Sequence, residues 1–257
     1  MSRIHPTAMI HPGAVIGPDC EIGPWCQIGE DVVLGGGNIL HANVIIMGCT
    51  RIGAENKIFP HAVIGTDPQD LKYRGAKSGV RIGDRNLIRE FVTINRSNQT
   101  DELTAVGDDN LLMAYVHVAH NCNIGSGCVI SNSAQLAGHV VVGDQASIGG
   151  LTAVHQFVHI GTHAFVGGAS AVKKDIAPYT RGMGNPYKTV GLNSVGLTRN
   201  GFAQDTLAAI KEIYKLFYQS GLNVSQAMAE AAKWHGLTPE QQIFVDFVRA
   251  GQRGLSH

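Results

Sequence analysis

Residues 118–148 read VAHNCNIGSGCVISNSAQLAGHVVVGDQASI. Val118, Ile124, Ile130, Leu136, Val142 and Ile148 stand six apart. Stepping outward by six reaches Val154, Ile160, Val166 and Val172 in one direction and Ile4, Ile10, Ile16 and Ile22 in the other. Of 29 such positions from 4 to 172, 26 are Ile, Leu or Val, the exceptions being Asp70, Ala76 and Thr100. A helix repeats at 3.6 residues and a flat strand at 2, so neither explains a strict six. A parallel β-helix does: each hexad makes one short strand and one corner, with the aliphatic pointing inward. The residue after the aliphatic is glycine in 13 hexads, among them Gly17, Gly23, Gly125 and Gly143. Glycine there answers a need for positive φ or for close backbone approach. Coils stack about 4.8 Å apart, so ten of them make a prism about 45 Å long.

The composition agrees. The chain has 257 residues, 32 of them glycine, with 16% charged and 44% hydrophobic. Glycine is not at every third position, which excludes collagen, and the hydrophobic content disfavours disorder. Zero formal charge disfavours a general nucleic-acid binder. Residues 1–6 lack the apolar core of a signal peptide, and no apolar run is long enough to span a membrane, so a soluble cytoplasmic protein is expected. Five cysteines in this length do not suggest a disulfide scaffold. Cys20 and Cys26, like Cys122 and Cys128, fall in equivalent small-residue slots and read as packing at prism edges.

Two stretches leave the repeat, 66–79 and 95–105, and being polar they read as functional loops. After Val172 the hexads stop and a connector with Pro178, Gly182, Gly184 and Pro186 follows. Helices are then expected over 203–219, from a cap at Asn223 to about His235, and from the capping box Thr238-Pro239-Glu240-Gln241 to about Ala250. The division is a β-helix over 1–190 and a helical domain over 191–257, the latter covering the last coil.

Three sides of six would give 18 residues per coil, a triangular section that the period alone does not prove, and residues 18 apart then stack. His120 falls on Gly138 and then Gln156, and Asn121 on His139. His155 is next to Gln156, and His117 is three residues before His120. This gathers four histidines on one side of three coils. A histidine near its ordinary pKa suits general-base work on an acceptor hydroxyl. The backbone at Gly138 could supply an N–H to an oxyanion. Three imidazoles on zinc are the rival arrangement. Gly149-Gly150 and Gly167-Gly168 also stack, either because corners need glycine or because they leave a groove for an apolar ligand.

Several segments carry a resemblance: Gln69-Asp70-Leu71-Lys72-Tyr73, Ile82-Gly83-Asp84-Arg85-Asn86, Asp109-Asn110-Leu111-Leu112-Met113, His117-Val118-Ala119-His120, Leu136-Ala137-Gly138-His139 and Ala153-Val154-His155-Gln156-Phe157. Together they resemble the hexapeptide-repeat acyltransferases and, within them, the UDP-N-acetylglucosamine O-acyltransferases of lipid A synthesis. The resemblance spans essentially the whole chain. It implies a homotrimer of left-handed parallel β-helices of triangular section, with active sites between subunits and no cofactor or metal. It implies transfer of a 3-hydroxyacyl group from acyl carrier protein to the glucosamine 3-position of the UDP-sugar.

By the same resemblance His120 matches the general base and Gly138 the oxyanion donor. Gln69, Asp70, Lys72, His117, His139, His155 and Gln156 match substrate contacts, and Asn193 and Arg199 match the nucleotide end. Gly168 matches the place where a larger side chain shortens the acyl pocket, so a longer chain is implied. The chain departs from the family pattern at Asn121, where an aspartate is common, and at Pro186, Ser194-Val195 and Asn200. These departures point to a 3-amino acceptor as an alternative to the hydroxyl. A zinc carbonic anhydrase of the same fold is the competing enzyme class, but His117-x-x-His120 does not match its usual His-x-x-x-x-His pair. Lys173, Lys174, Arg181, Lys211 and Lys215 are candidates to receive the acidic carrier protein.

Overall fold

In the computed structural model, which describes residues 2–257, the hexads form three parallel sheets wound as a β-helix. The first sheet starts at Arg3–Ile4 and has 11 strands, the second starts at Met9–Ile10 and has 9, and the third starts at Val15–Ile16 and has 8. Most strands are two residues long, one facing out and one facing in. Successive coils pair 18 residues apart, as in Val118↔Leu136 and Leu136↔Val154. The inward aliphatics from Ile22 to Val172 form one continuous buried core. Such two-residue strands are marginal alone, so their stability is the burial of this shared column.

Both loops keep the phase because of their lengths. Across 66–79 the pairing offset is 30, as in Ile52↔Ile82 and Ile64↔Ile94. Across 95–105 it is 24, as in Ile82↔Val106 and Ile94↔Val118. The loops therefore insert two hexads and one hexad, which places Asp70, Ala76 and Thr100 outside the core.

The structure decides what the corner glycines are for. Of the 13 that follow the inward aliphatic, only Gly65 has positive φ. The left-handed residue comes two places later and usually is not glycine, for example Asp19, Trp25, Asn121 and His139. Space selects the glycine instead: a Cβ on Gly17 would lie 2.5 Å from the Gly35 carbonyl carbon, and on Gly35 2.6 Å from the Gly53 carbonyl oxygen.

The four packing cysteines are buried, and all five cysteines are unpaired. The Cys122 Sγ donates to the Ala137 carbonyl at 3.1 Å, and burial pushes its thiol up to about 12. Such a thiol is inert.

The segment after Val172 is more ordered than a connector. Thr180–Met183 adds in parallel to the first sheet, and Lys188–Leu192 turns back antiparallel to it. Four helices follow: α1 (Ser194–Arg199), α2 (Gln204–Tyr218), α3 (Val224–Ala231) and α4 (Pro239–Ala250). Helix α1 was not expected from the sequence, and α3 ends four residues short of His235. The expected capping box of Thr238 with Gln241 is made, and the expected cap at Asn223 proves to be a capping box too, with Gln226. Ile210, Ile213, Phe217 and Phe244 form a second core with Ala177 and Tyr179 of the last coil. Among the described residues no helix is long and apolar enough to cross a membrane.

Candidate active site

Each corner of the prism has a slot two residues past the inward aliphatic. At the corner between the second and third sheets this slot holds His120, Gly138 and Gln156 on successive coils. Among the described residues none of their three N–H groups has a hydrogen-bond partner, although Ala137 and His139 on either side of Gly138 both bond between coils. The early coils carry Pro12 in this slot and Pro18 and Pro24 in the matching slots of other corners, which fits a position whose N–H the repeat leaves over. The His120 ring lies against Gly138: a Cβ there would be 2.5 Å from His120 Cε1 and 2.7 Å from Nε2. Register thus places an imidazole beside a residue whose N–H is open, and glycine at 138 makes room for the ring.

The His120 tautomer follows from its partners. Nδ1 is 2.9 Å from the Asn121 Oδ1. That oxygen also accepts the Asn98 backbone N–H at 3.1 Å, and the Asn121 Nδ2 donates to Glu102 Oε2 at 2.6 Å and to Ser97 Oγ at 2.7 Å. A backbone donor on one side and a carboxylate on the other fix which way the amide faces. His120 Nδ1 therefore carries the proton, and Nε2, the ring nitrogen nearer Gly138, is the basic one.

The two inserted loops hold this arrangement. The Asn98 Nδ2 donates to Asp70 Oδ2 at 2.7 Å, and the Lys72 N–H donates to Asp70 Oδ1 at 2.9 Å. These two bonds, the Lys72 N–H first, hold the Asp70 carboxyl below its ordinary value. Arg96 pairs with Asp67, and its Nη2 donates to the Tyr73 hydroxyl at 2.8 Å. Gln69 and Lys72 are exposed beside Asp70.

His117 stands on the strand before His120, its Nδ1 2.7 Å from Thr93 Oγ1. The His139 ring meets His120 edge-on at 5.2 Å and stacks on Phe157 at 4.6 Å. Burial, and secondly the charge of His120, depresses the pKa of both His117 and His139. His155 lies on the next coil, exposed, with Nδ1 3.1 Å from the Gln156 carbonyl. Among the described residues no group of three His, Cys, Asp or Glu is placed to hold a metal ion.

The remaining sequence candidates sit elsewhere. Gly150 and Gly168 lie on the corner between the first and second sheets. Gly168 is exposed, and a Cβ there would meet only the Gly150 backbone, its oxygen at 3.2 Å. Gly149 and Gly167 serve close packing instead, because a Cβ on Gly149 would strike the Gly168 backbone and one on Gly167 the Met183 side chain. Asn193 and Arg199 line a cavity of about 520 Å³ against the first sheet, with Ser147, Phe165 and Arg181. The Asn193 side chain caps α1, accepting from the Gly196 N–H at 3.2 Å, and donates to the His163 carbonyl at 2.9 Å. One chain thus spreads the candidates over three faces. Sequence reasoning missed Ser97, Asn98 and Glu102, which the inserted loop brings to Asn121. The polarity of that loop and its place one coil before His120 were the available signals.

Comparison with known proteins matches the chain to a family. Residues 175–256 fit the family model described as UDP N-acetylglucosamine O-acyltransferase, domain 2, and residues 1–36 and 104–138 fit the bacterial transferase hexapeptide model. An acyl-[acyl-carrier-protein]–UDP-N-acetylglucosamine O-acyltransferase from Gloeothece citriformis is 47% identical over 82% of this chain and 78% of its own. The chain belongs to the UDP-N-acetylglucosamine O-acyltransferase family. Solved structures agree. The UDP-N-acetylglucosamine acyltransferase of Bacteroides fragilis is 43% identical, covers 99% of this chain and 100% of its own, and superposes with a TM-score of 0.94. The Arabidopsis enzyme is 35% identical over 99% of this chain and 100% of its own, with a TM-score of 0.88. Membership makes the chain an acyltransferase, and nothing in the comparisons favours a carbonic anhydrase.

Proposed function

We propose that the chain transfers a 3-hydroxyacyl group from acyl carrier protein to the 3-position of UDP-N-acetylglucosamine, or of its 3-amino analogue, at the start of lipid A synthesis in the cytoplasm. The observation that carries the mechanism is the His120 ring, with basic Nε2, packed against Gly138, whose N–H is open. His120 Nε2 takes the proton of the acceptor hydroxyl as its oxygen attacks the thioester carbonyl. The Gly138 N–H receives the oxyanion. Collapse breaks the C–S bond, and the carrier's thiolate takes the proton back from His120, leaving an ester on the sugar and a free thiol. With an amine acceptor the same steps give an amide.

Asp70, Gln69 and Lys72 from the first inserted loop, with His117, His139, His155 and Gln156, contact the substrates in this reading. Gly168 sets the depth of the acyl groove, and Asn193 and Arg199 meet the nucleotide end. Because the base, the glycine groove and the nucleotide residues lie on different faces of one chain, a complete site draws on more than one copy. This supports a homotrimer with sites between subunits. So does the stacked row of His61, Phe91 (43% exposed) and Tyr115 (56% exposed) on the glycine-bearing corner, an apolar surface suited to contact with another subunit.

Asn121, where the family resemblance implies an aspartate, leaves the 3-amino acceptor open beside the hydroxyl. An amine is the stronger nucleophile and needs less help from a charged partner behind the base. Mass spectrometry of the product tests both readings. Purified protein is incubated with acyl carrier proteins of several chain lengths and each acceptor. Acylation at the 3-position is expected. Thioester hydrolysis alone, or no dependence on the sugar nucleotide, would contradict it.

A further inference from the structure

We infer that Glu102 is a positioning residue that supplies, through the Asn121 amide, the negative charge a directly adjacent carboxylate would give His120. The inference rests on His120 being the base. The groups form a chain: Glu102 Oε2 accepts from Asn121 Nδ2 at 2.6 Å, and Asn121 Oδ1 faces His120 Nδ1 at 2.9 Å. An amide held this way is polarised, because a carboxylate at its N–H end makes its oxygen a better acceptor of the Nδ1 proton. When His120 takes the acceptor proton, the positive charge on the ring is met by that oxygen and, one amide further, by Glu102. An asparagine alone orients the imidazole but brings no charge, and the charge has been moved outward by one residue.

The placement of Glu102 is specific. The Asn121 N–H donates to Thr104 Oγ1 at 2.9 Å, its Oδ1 takes the Asn98 N–H, and its Nδ2 also reaches Ser97. The Asn121 side chain and N–H are thus tied to the inserted loop that carries Glu102. The other titratable or charged groups facing His120 are His117 and His139 on the coils, and Asp70 with Lys72 beside it on the first inserted loop. Asp70 reaches Asn121 only by way of Asn98, so Glu102 is the carboxylate bonded directly to the amide behind the base.

The pH dependence of kcat/KM separates this role from a structural one. Glu102→Gln keeps an acceptor for Asn121 Nδ2 and removes the charge. The acid limb assigned to His120 should move down by about half a pH unit, as expected for one partly screened charge at that remove. Glu102→Asp should restore part of the shift. In an Asn121→Asp background the effect should reverse, because the introduced carboxylate and Glu102 would then be like charges in contact, and Glu102→Gln should raise activity. The His120 titration read by NMR in wild type and Glu102→Gln gives the same shift without turnover. An unmoved acid limb in Glu102→Gln, or the same sign in both backgrounds, would overturn the role of Glu102. A folded His120→Ala variant with full activity would instead overturn the assignment of the base.

Discussion

Two corners of the prism share one backbone and use it oppositely. Between the third and first sheets the spare N–H groups are filled. The Ala54 N–H reaches Asp84, the Asp84 N–H reaches Asp108, the Asp108 N–H reaches Ser126 and the Ser126 N–H reaches Asp144, at 2.6–3.0 Å. Inside that corner Asn38, Asn56, Asn86 and Asn110 form a buried ladder, each side chain accepting the backbone N–H of the next. Between the second and third sheets the same slot presents His120, Gly138 and Gln156 with their N–H groups unpaired, and the inserted loops close over it. A repeat fold has leftover donors at every corner. Side chains from the next coil turn them into stability at one edge, and leaving them open keeps donors for a ligand at another.

Glycine to alanine at one position on each corner should separate the two uses. Gly138→Ala pushes its Cβ into the His120 ring. A displaced base of this kind should lower kcat by about 10²-fold, with the thermal midpoint little changed. Gly17→Ala pushes instead into the Gly35 backbone. It should cost about 1–3 kcal/mol of stability in denaturant titration, with kcat per folded protein unchanged. If both variants lose activity and stability together, the corners are not functionally distinct.

The ladder gives a second contrast. Asn86→Ala leaves the buried Asn110 N–H without its acceptor and removes the donor to Asn56 Oδ1 at 2.9 Å. A loss of about 1–3 kcal/mol is expected, seen in chemical denaturation, with the acid limb of activity unmoved. Lys72→Ala, at the open corner, should do the reverse. In the proposed site its ammonium contacts substrate, so the acceptor KM should rise about tenfold, the equivalent of one charged hydrogen bond at about 1.5 kcal/mol, while the unfolding midpoint stays put.

The smallest expected effect is on pH and stability. His117 and His139 titrate below the usual 6.5 in the fold. The unfolded chain therefore binds more protons between the folded values and 6.5. Stability is complete above about 6.5 and declines as pH falls through that window. The unfolding midpoint should drop modestly on acidification from neutral, and less so in a His117→Asn, His139→Asn double variant. A midpoint rising with acid would show that these rings gain charge on folding.

The column of inward aliphatics was legible because one interior must be filled at every turn, and Ile52↔Ile82 shows that even a loop preserves it when it inserts whole hexads. His120 over Gly138 was legible for the same reason, since register alone stacks them. The clasp around Asn121 was not, because Asn98 and Glu102 reach it through loop conformation rather than repeat spacing. The hairpin at Thr180–Met183 and Lys188–Leu192 was hidden by Gly182, Gly184 and Pro186, which read as breakers although the strands pair across them. Asn193 read as a ligand contact, and its capping of α1 appears only when the helix is seen.

The turnover of His120→Ala tests the central claim most directly. Product formation from acyl carrier protein thioester and sugar nucleotide is followed by mass spectrometry, alongside circular dichroism and the oligomeric mass. The expected result is a loss of about 10²-fold or more, the usual scale of general-base catalysis, in a protein that keeps the β-helix and its assembly. A folded His120→Ala variant that forms product at near-normal rate would contradict it.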